Sequence, residues 1–262
     1  FDEKTYKEVR CISKEYDLII ALNVIPHIND FTSTLRLVAK LMHNDSVFVI
    51  EGVYFTDTIN RGQFDTVYHE HAHCFSYFAW KNSLNKVNLK IIDIEKINVQ
   101  GTSLRLYVTK INTSQIENKT NINKIKKYEI NKGINKINSY ENLKILIQKK
   151  INLINQKFTT FSKDSSVIAL GAPARGVVIL NVCKIFNNIN FAIDDTPFKK
   201  GLFLPGTNIK VINWSQLKNF ETNKFILLSW NYKKEILDKL IKHKKSAKVF
   251  IPFPTPKVIN LN

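Results

Sequence analysis

The chain has 262 residues, 44% of them hydrophobic, and 39 basic against 22 acidic side chains give it a net charge of +17. That much apolar material needs an interior, which excludes a disordered chain. Its longest apolar runs are strand-sized, short of the roughly 20 residues that span a membrane. Three widely spaced cysteines, Cys11, Cys74 and Cys183, exclude a disulfide framework and point to a reducing cytoplasm.

The basic excess concentrates in residues 110–157 and 221–262, where lysine is interspersed with isoleucine and asparagine. That pattern reads as solvated helix faces, so nucleic acid is not the expected partner, nor is a membrane surface. The chain opens Phe1-Asp2-Glu3 without an initiator methionine. The expectation is a piece of a longer protein, missing its front end.

Tyr16–Leu22 is a continuous apolar run ending at Asn23 and reads as a buried strand. Asn29-Asp30 then starts a helix with apolar spacing over Phe31–His43, and Ser46–Ile50 is a second buried strand stopping at Glu51-Gly52. Strand, helix, strand with polar residues at the strand ends is half of a doubly wound sheet, where ligands gather at the carboxyl ends of strands. Residues 54–77 break the regularity with polar and aromatic groups. Trp80–Val87 reads as a helix, and Lys90–Ile97 and Leu104–Lys110 alternate like paired strands joined across Gln100-Gly101-Thr102. Residues 113–162 contain no proline and one break at Gly133, as one or two long helices. A second α/β unit follows: strand Ser166–Leu170, a turn over Gly171–Gly176, helix Val177–Cys183 and strand Asn190–Ile193 ending at Asp194-Asp195. Strand Phe225–Ser229, helix Lys233–His243 and strand Val249–Ile251 complete it. The expected domains are 1–110, a helical linker 111–163, and 164–262.

Three places carry candidate chemistry. Tyr68-His69-Glu70-His71-Ala72-His73 sets three histidines at alternate positions, one face of a strand if extended. The readings are a metal site, a histidine-capped turn, and acid–base chemistry. The last is favoured, because a histidine beside a carboxylate titrates near neutrality with its tautomer set by that neighbour. Gly171-x-x-x-x-Gly176 between a strand and a helix offers free N–H groups to a phosphate. Pro173 and Arg175 suit that turn, and Asp194 or Asp195 could take sugar hydroxyls; a tight turn without a ligand is the plain alternative. Asn23 and His27, just past the first strand, read either as a polar cap or as a ligand edge.

Taken together, NVIPHIND (Asn23–Asp30), IEGVYFTDTI (Ile50–Ile59), FDTVYHEH (Phe64–His71), GTSLRLYV (Gly101–Val108), GAPARG with LN (Gly171–Asn181), IDDTPFKKGLFLPGTNIKV (Ile193–Val211) and LLSWNYKKEI (Leu227–Ile236) resemble the nucleotide-sugar C-methyltransferase family. These enzymes use S-adenosylmethionine to methylate the carbon beside the ketone of a 4-keto deoxysugar. The match departs at Gln100-Gly101-Thr102-Ser103, where His-Gly-Gly-Ser is usual.

The resemblance implies an α/β fold: part of an S-adenosylmethionine-binding Rossmann domain, entered at its fourth strand, then a second Rossmann-like parallel-sheet domain. It implies His71 as the general base, with Tyr68 and Glu70 beside it, forming an enolate that takes the cofactor methyl. Asn23 and His27 would face the cofactor. Gly171, Ala172, Arg175, Gly176, Asp194, Asp195 and Lys200 would hold the nucleotide diphosphate of the sugar. A zinc ion belongs to the family's amino-terminal segment, and no metal is expected on the residues here. The expected partner is a nucleotide-diphosphate sugar, and the expected state is a monomer. The rival functions are N- or O-methylation of a related sugar, a catalytically silent nucleotide-sugar-binding module, and a basic nucleic-acid binder.

Overall fold

A computed structural model describes residues 1–99, 101–244 and 246–261. It divides into two compact units, Phe1–Asn60 with His69–Asn142, and Arg61–Tyr68 with Leu143–Asn262. Gln100, part of the turn named above, lies outside the described residues.

The first unit runs α1 (Glu3–Ile12), β1 (Tyr16–Leu22), α2 (Phe31–Lys40), β2 (Met42–Val53), α3 (Phe55–Arg61), α4 (Tyr77–Asn85), β3 (Leu89–Ile97), β4 (Ser103–Lys110) and α5 (Lys119–Lys132). Helix starts follow side-chain caps. Asp2 accepts from the Thr5 amide, Asp30 from Ser33 and Ser76 from Ala79. Each cap satisfies one of the first-turn donors that a helix leaves open. The sheet order is β1-β2-β4-β3, with β1 and β2 parallel and the other pairs antiparallel. Its core gathers Phe48 and Ile50 of β2, Leu104 and Leu106 of β4, and Trp80 and Leu84 of α4, all essentially closed to solvent. Phe75 stacks on Trp80 at 3.8 Å between ring centroids.

Burial corrects the reading of Tyr16–Leu22 as a fully buried strand. β1 is the edge of its sheet, and only one of its faces is covered. Ile19 and Ala21 pack toward the core, while Leu18, Ile20 and Leu22 are 46–57% exposed. A continuous apolar run is buried on both faces only when other layers lie on both sides.

The second unit runs from α6 (Ile137–Ser162, of which 143–162 lie in this unit) through β5 (Val167–Leu170), α7 (Ala174–Cys183), β6 (Ile189–Ile193), β7 (Lys210–Ile212), β8 (Lys224–Leu227), α8 (Lys233–His243), β9 (Ala247–Ile251) and β10 (Lys257–Leu261). The strand order is β10-β9-β8-β5-β6-β7, parallel except for β10. After β5 the chain moves outward through β6 and β7, then returns to the other side of β5 as β8. The switch point of this doubly wound sheet therefore lies between the ends of β5 and β8. All four residues of β5 are buried, as a central parallel strand requires. Helices on the sequence 111–163 are shared: α5 lies in the first unit and most of α6 in the second. Gly133, in the left-handed conformation with φ of 64°, ends α5. No helix among the described residues is long and apolar enough to cross a membrane.

Helix α1 and strands β7 and β10 were not expected from the sequence. The first buries only Tyr6, the second has three residues, and the third alternates exposed and half-buried positions on an edge. Each offers too short an apolar pattern to stand out.

Candidate functional site

In the first unit, Asn23 and His27 follow the end of β1, and His71 packs against His27. Asn23 follows β1 directly and sits in the left-handed region with φ of 56°, a conformation that asparagine tolerates better than most residues. Its amide N–H donates to the Glu51 carbonyl at 2.8 Å. A short 3-10 turn, Ile25–His27, comes next, with Ile25 and Pro26 buried and His27 exposed. The ring of His71 packs edge-on against His27, 4.8 Å between centroids and 65° between planes. His73 ties the two segments together: its backbone N–H donates to the Pro26 carbonyl at 3.2 Å, and its Nε2 lies 3.1 Å from the Asn29 carbonyl. Sequence reasoning named Asn23 with His27 and, apart from them, His71, and the fold brings the rings of His27 and His71 into contact.

The segment carrying His71 is not a strand. Residues 68–70 form a bend and turn, and residues 71–74 have no strand pairing. Alternation therefore does not place His69, His71 and His73 on a common face. Among the described residues no group of three or more His, Cys, Asp or Glu side chains is arranged to hold a metal ion. Tyr68 and His71 are half-buried, while His69 and Glu70 are exposed. The carboxylate expected to steady His71 does not do so here: Glu70 makes no hydrogen bond or ion pair among the described residues. A surface carboxylate gains more from water than from a nearby imidazole unless geometry holds the pair together. The His27 ring packs against His71.

Behind Asn23 stands a polar relay that sequence reasoning missed. Glu51, 4% exposed, accepts from Asn23 Nδ2 at 3.2 Å on one oxygen and from Arg105 Nε and Nη2 at 3.1 and 2.9 Å on the other. Sheet register builds this contact, because Leu22 pairs with Glu51 and Glu51 with Arg105. Hydrogen bonding to Glu51 pushes the Arg105 guanidinium further up from its already high range. Glu95, opposite Arg105 on β3, holds the Tyr107 hydroxyl.

In the second unit the turn Gly171–Gly176 lies at the switch point, where the sequence suggested a phosphate cradle. Gly171 has φ of 88°, and a Cβ there would lie 1.9 Å from Ser229 Oγ; one at Gly176 would lie 2.7 Å from Leu228 Cβ. The glycines thus make room for the residues that follow β8. The Ala172 N–H donates to Asp194 Oδ2 at 2.8 Å.

Arg175 does not turn toward an open phosphate site. It is 7% exposed, and its Nε and Nη2 each lie 2.9 Å from Oδ2 of the fully buried Asp65. The same oxygen accepts from Trp230 Nε1 at 3.0 Å, and the guanidinium stacks 4.6 Å from the Trp230 ring. The partner of Arg175 is therefore a carboxylate of this chain's own, from the FDT segment that packs on α7 as a short 3-10 turn (Phe64–Thr66). Burial pushes Asp65 above the usual carboxylate range, with Arg175 and Trp230 pulling the other way.

Asp194 and Asp195 are likewise engaged. Besides the Ala172 amide, Asp194 accepts from the Thr196 N–H at 2.9 Å, and Lys199 Nζ lies 3.4 Å away. Burial alone would raise Asp194, but the Thr196 and Ala172 amides and the Lys199 ammonium hold it below the ordinary aspartate value. Asp195 pairs with Lys239 Nζ at 2.7 Å on the surface. Lys200 is exposed and makes no ion pair among the described residues.

Comparison with known proteins now bears on this geometry. Residues 98–254 match the family model described as the C-methyltransferase C-terminal domain. The chain belongs to that family. It is also 26% identical over 246 residues to C-methyltransferase NovU of Streptomyces niveus, an alignment covering 93% of this chain and 58% of that protein. The chain thus spans less than two thirds of the length of the curated relative it matches.

Proposed function

We propose that this chain takes part in S-adenosylmethionine-dependent methylation of the carbon beside the ketone of a nucleotide-diphosphate 4-keto deoxysugar, with His71 as the base. Family membership supports carbon as the methylated atom, and the observation that carries the site is the His71–His27 pair, with His27 four residues past Asn23 along the chain. A proton next to a ketone is acidic because the carbanion delocalises onto oxygen. A neutral imidazole held half-buried can take it, and such positioned bases contribute about 10²–10⁴-fold in rate. His27 packs edge-on against the His71 ring and orients it.

S-adenosylmethionine, when bound, supplies the methyl group. It presents an ammonium and ribose hydroxyls, all hydrogen-bond donors, and the Asn23 amide oxygen accepts no hydrogen bond among the described residues. Asn23 thus fits one edge of the group, with His27 beside it.

In this reading the second unit holds the activated sugar around the exposed Lys200 and the start of α7, which has no side-chain cap. Arg175 is assigned to Asp65 instead.

The experiment is a turnover with methyl-labelled cofactor and a 4-keto deoxysugar nucleotide, the product read by carbon-13 NMR. A methyl carbon bonded to ring carbon is the expected result. Label on oxygen or nitrogen would replace this reading with the heteroatom one, and sugar binding without transfer would leave a silent binding module.

A further inference from the structure

The Asn23 amide has two faces that a crystallographer would find hard to tell apart, and the structure decides between them chemically. A carboxylate accepts and cannot donate, so the group facing Glu51 is the NH₂ of Asn23, at 3.2 Å. Glu51 is not free to turn away. Its second oxygen receives a two-pronged hydrogen bond from Arg105, and Glu51 is 4% exposed, paired in the sheet with Arg105 on one side and with Leu22, the residue before Asn23, on the other. The backbone adds a further constraint: Asn23 is locked in the left-handed region with its own N–H on the Glu51 carbonyl.

We infer that Glu51, clamped by Arg105, is a positioning residue that holds the Asn23 amide with its oxygen directed away from the sheet as a fixed hydrogen-bond acceptor for a donor group of the bound cofactor. The cofactor clause rests on the function proposed above; the orientation does not. A freely rotating asparagine would offer donor or acceptor indifferently, and choosing between them would cost about twofold in affinity. Here the choice is made before the ligand arrives.

Exchanging the two groups tests this. In Glu51→Gln the two Arg105 donors keep the new amide's oxygen, so its NH₂ faces Asn23. Asn23 must then present its oxygen to Gln and its NH₂ to the ligand. In Asn23→Asp alone, two carboxylates oppose each other. In the double variant Asn23→Asp/Glu51→Gln, the Gln NH₂ donates to one Asp oxygen and the other is again directed away as an acceptor.

Two readouts are taken on the 262-residue chain and its three variants. The first is side-chain amide hydrogen exchange by NMR. The Asn23 NH₂ should exchange about tenfold more slowly than that of the exposed Asn29 in the wild type, the factor expected of one charge-assisted hydrogen bond, and lose this protection in Glu51→Gln. The Gln NH₂ should be protected in the double variant. The second is titration with S-adenosylmethionine, where each single variant should bind about tenfold more weakly and the double variant recover to within about threefold of the wild type. An unprotected Asn23 NH₂ in the wild type, or two weakened single variants with no recovery in the double, would overturn the proposal. The expected exchange pattern with four equal affinities, or with no binding by the wild type, would overturn the cofactor assignment and leave the positioning role standing.

Discussion

A carboxylate as buried as Asp65 is tolerable only because hydrogen bonds from Arg175 Nε and the Trp230 indole and the ion-pair contact of Arg175 Nη2 converge on one of its oxygens. Its other oxygen has no hydrogen-bond partner among the described residues, so this ion pair gives up part of what water would have supplied. Its worth lies in what breaking it costs. Removing one member leaves the other charged and buried, so Asp65→Leu or Arg175→Met should each destabilise the chain by about 3–5 kcal/mol, whereas the double variant should cost far less than the two together. Equilibrium urea unfolding measures this, and additive losses would show that the pair is not a unit. His71 stands differently, half-buried with the His27 ring against it. His71→Asn should leave unfolding within about 0.5 kcal/mol of the wild type, the range of substitutions away from core and network features, while turnover falls. A stability loss as large as at Asp65 would mark His71 as structural.

At the scale of elements, the turn after β5 and the turn after β6 are bracketed by one side chain. Asp194 joins the Ala172 and Thr196 amides, and Lys199 closes the bracket by donating to the Ala172 carbonyl at 3.1 Å. Because the folded state holds Asp194 below its unfolded value of 3.8, its contribution is fully present above that pH and is lost as pH falls through the lowered folded value. Asp194→Asn should therefore be less stable at neutral pH and show a shallower loss of stability below about pH 4, read by acid titration of unfolding. An acid limb unchanged from wild type would remove Asp194 from this role. In the first unit Glu129 acts similarly. It lies on α5, is fully buried, and accepts from the Tyr77 N–H at 2.6 Å and from Thr56 Oγ1 at 3.0 Å, tying α5 to the start of α4.

Such links mark the boundary of what the sequence could tell. Helices α2 and α8, strands β5 and β6 and the paired β3 and β4 announce themselves through caps and periodicity within a dozen residues. Asn23, His27 and His71 were visible as polar residues at strand ends or in a break of pattern. Asp65 was not, because its partners Arg175 and Trp230 lie 110 and 165 residues further along the chain. The error at Arg175 has the same origin: an arginine in a glycine turn suits a phosphate, and nothing local reveals that a carboxylate of the same chain satisfies it. Glu51 and Arg105 were the more findable pair. Arg105 sits in an alternating strand and Glu51 at the end of a buried one, and their opposition needed only the register.

For the molecule as a whole, β1 is the exposed margin. Leu18, Ile20 and Leu22 lie together on its uncovered face, and an apolar hollow of about 380 Å³ opens beside the strand, lined by Ile20, Val24, Ile25 and Val38 among others. An apolar strand edge of this kind is a template for pairing with another chain. The chain should therefore associate as its concentration rises, despite its charge of +17, and Ile20→Lys should suppress that association in sedimentation experiments. Equal association of the two proteins would clear the edge. The central claim concerns carbon chemistry at His71, and it can be tested without the cofactor. A nucleotide-diphosphate 4-keto deoxysugar is incubated with the protein in deuterium oxide, and exchange at the carbon beside the ketone is followed by NMR. Wild-type protein should introduce deuterium there and His71→Asn should do so about 10²–10⁴-fold more slowly; equal exchange by the two proteins would contradict the assignment of His71 as the base.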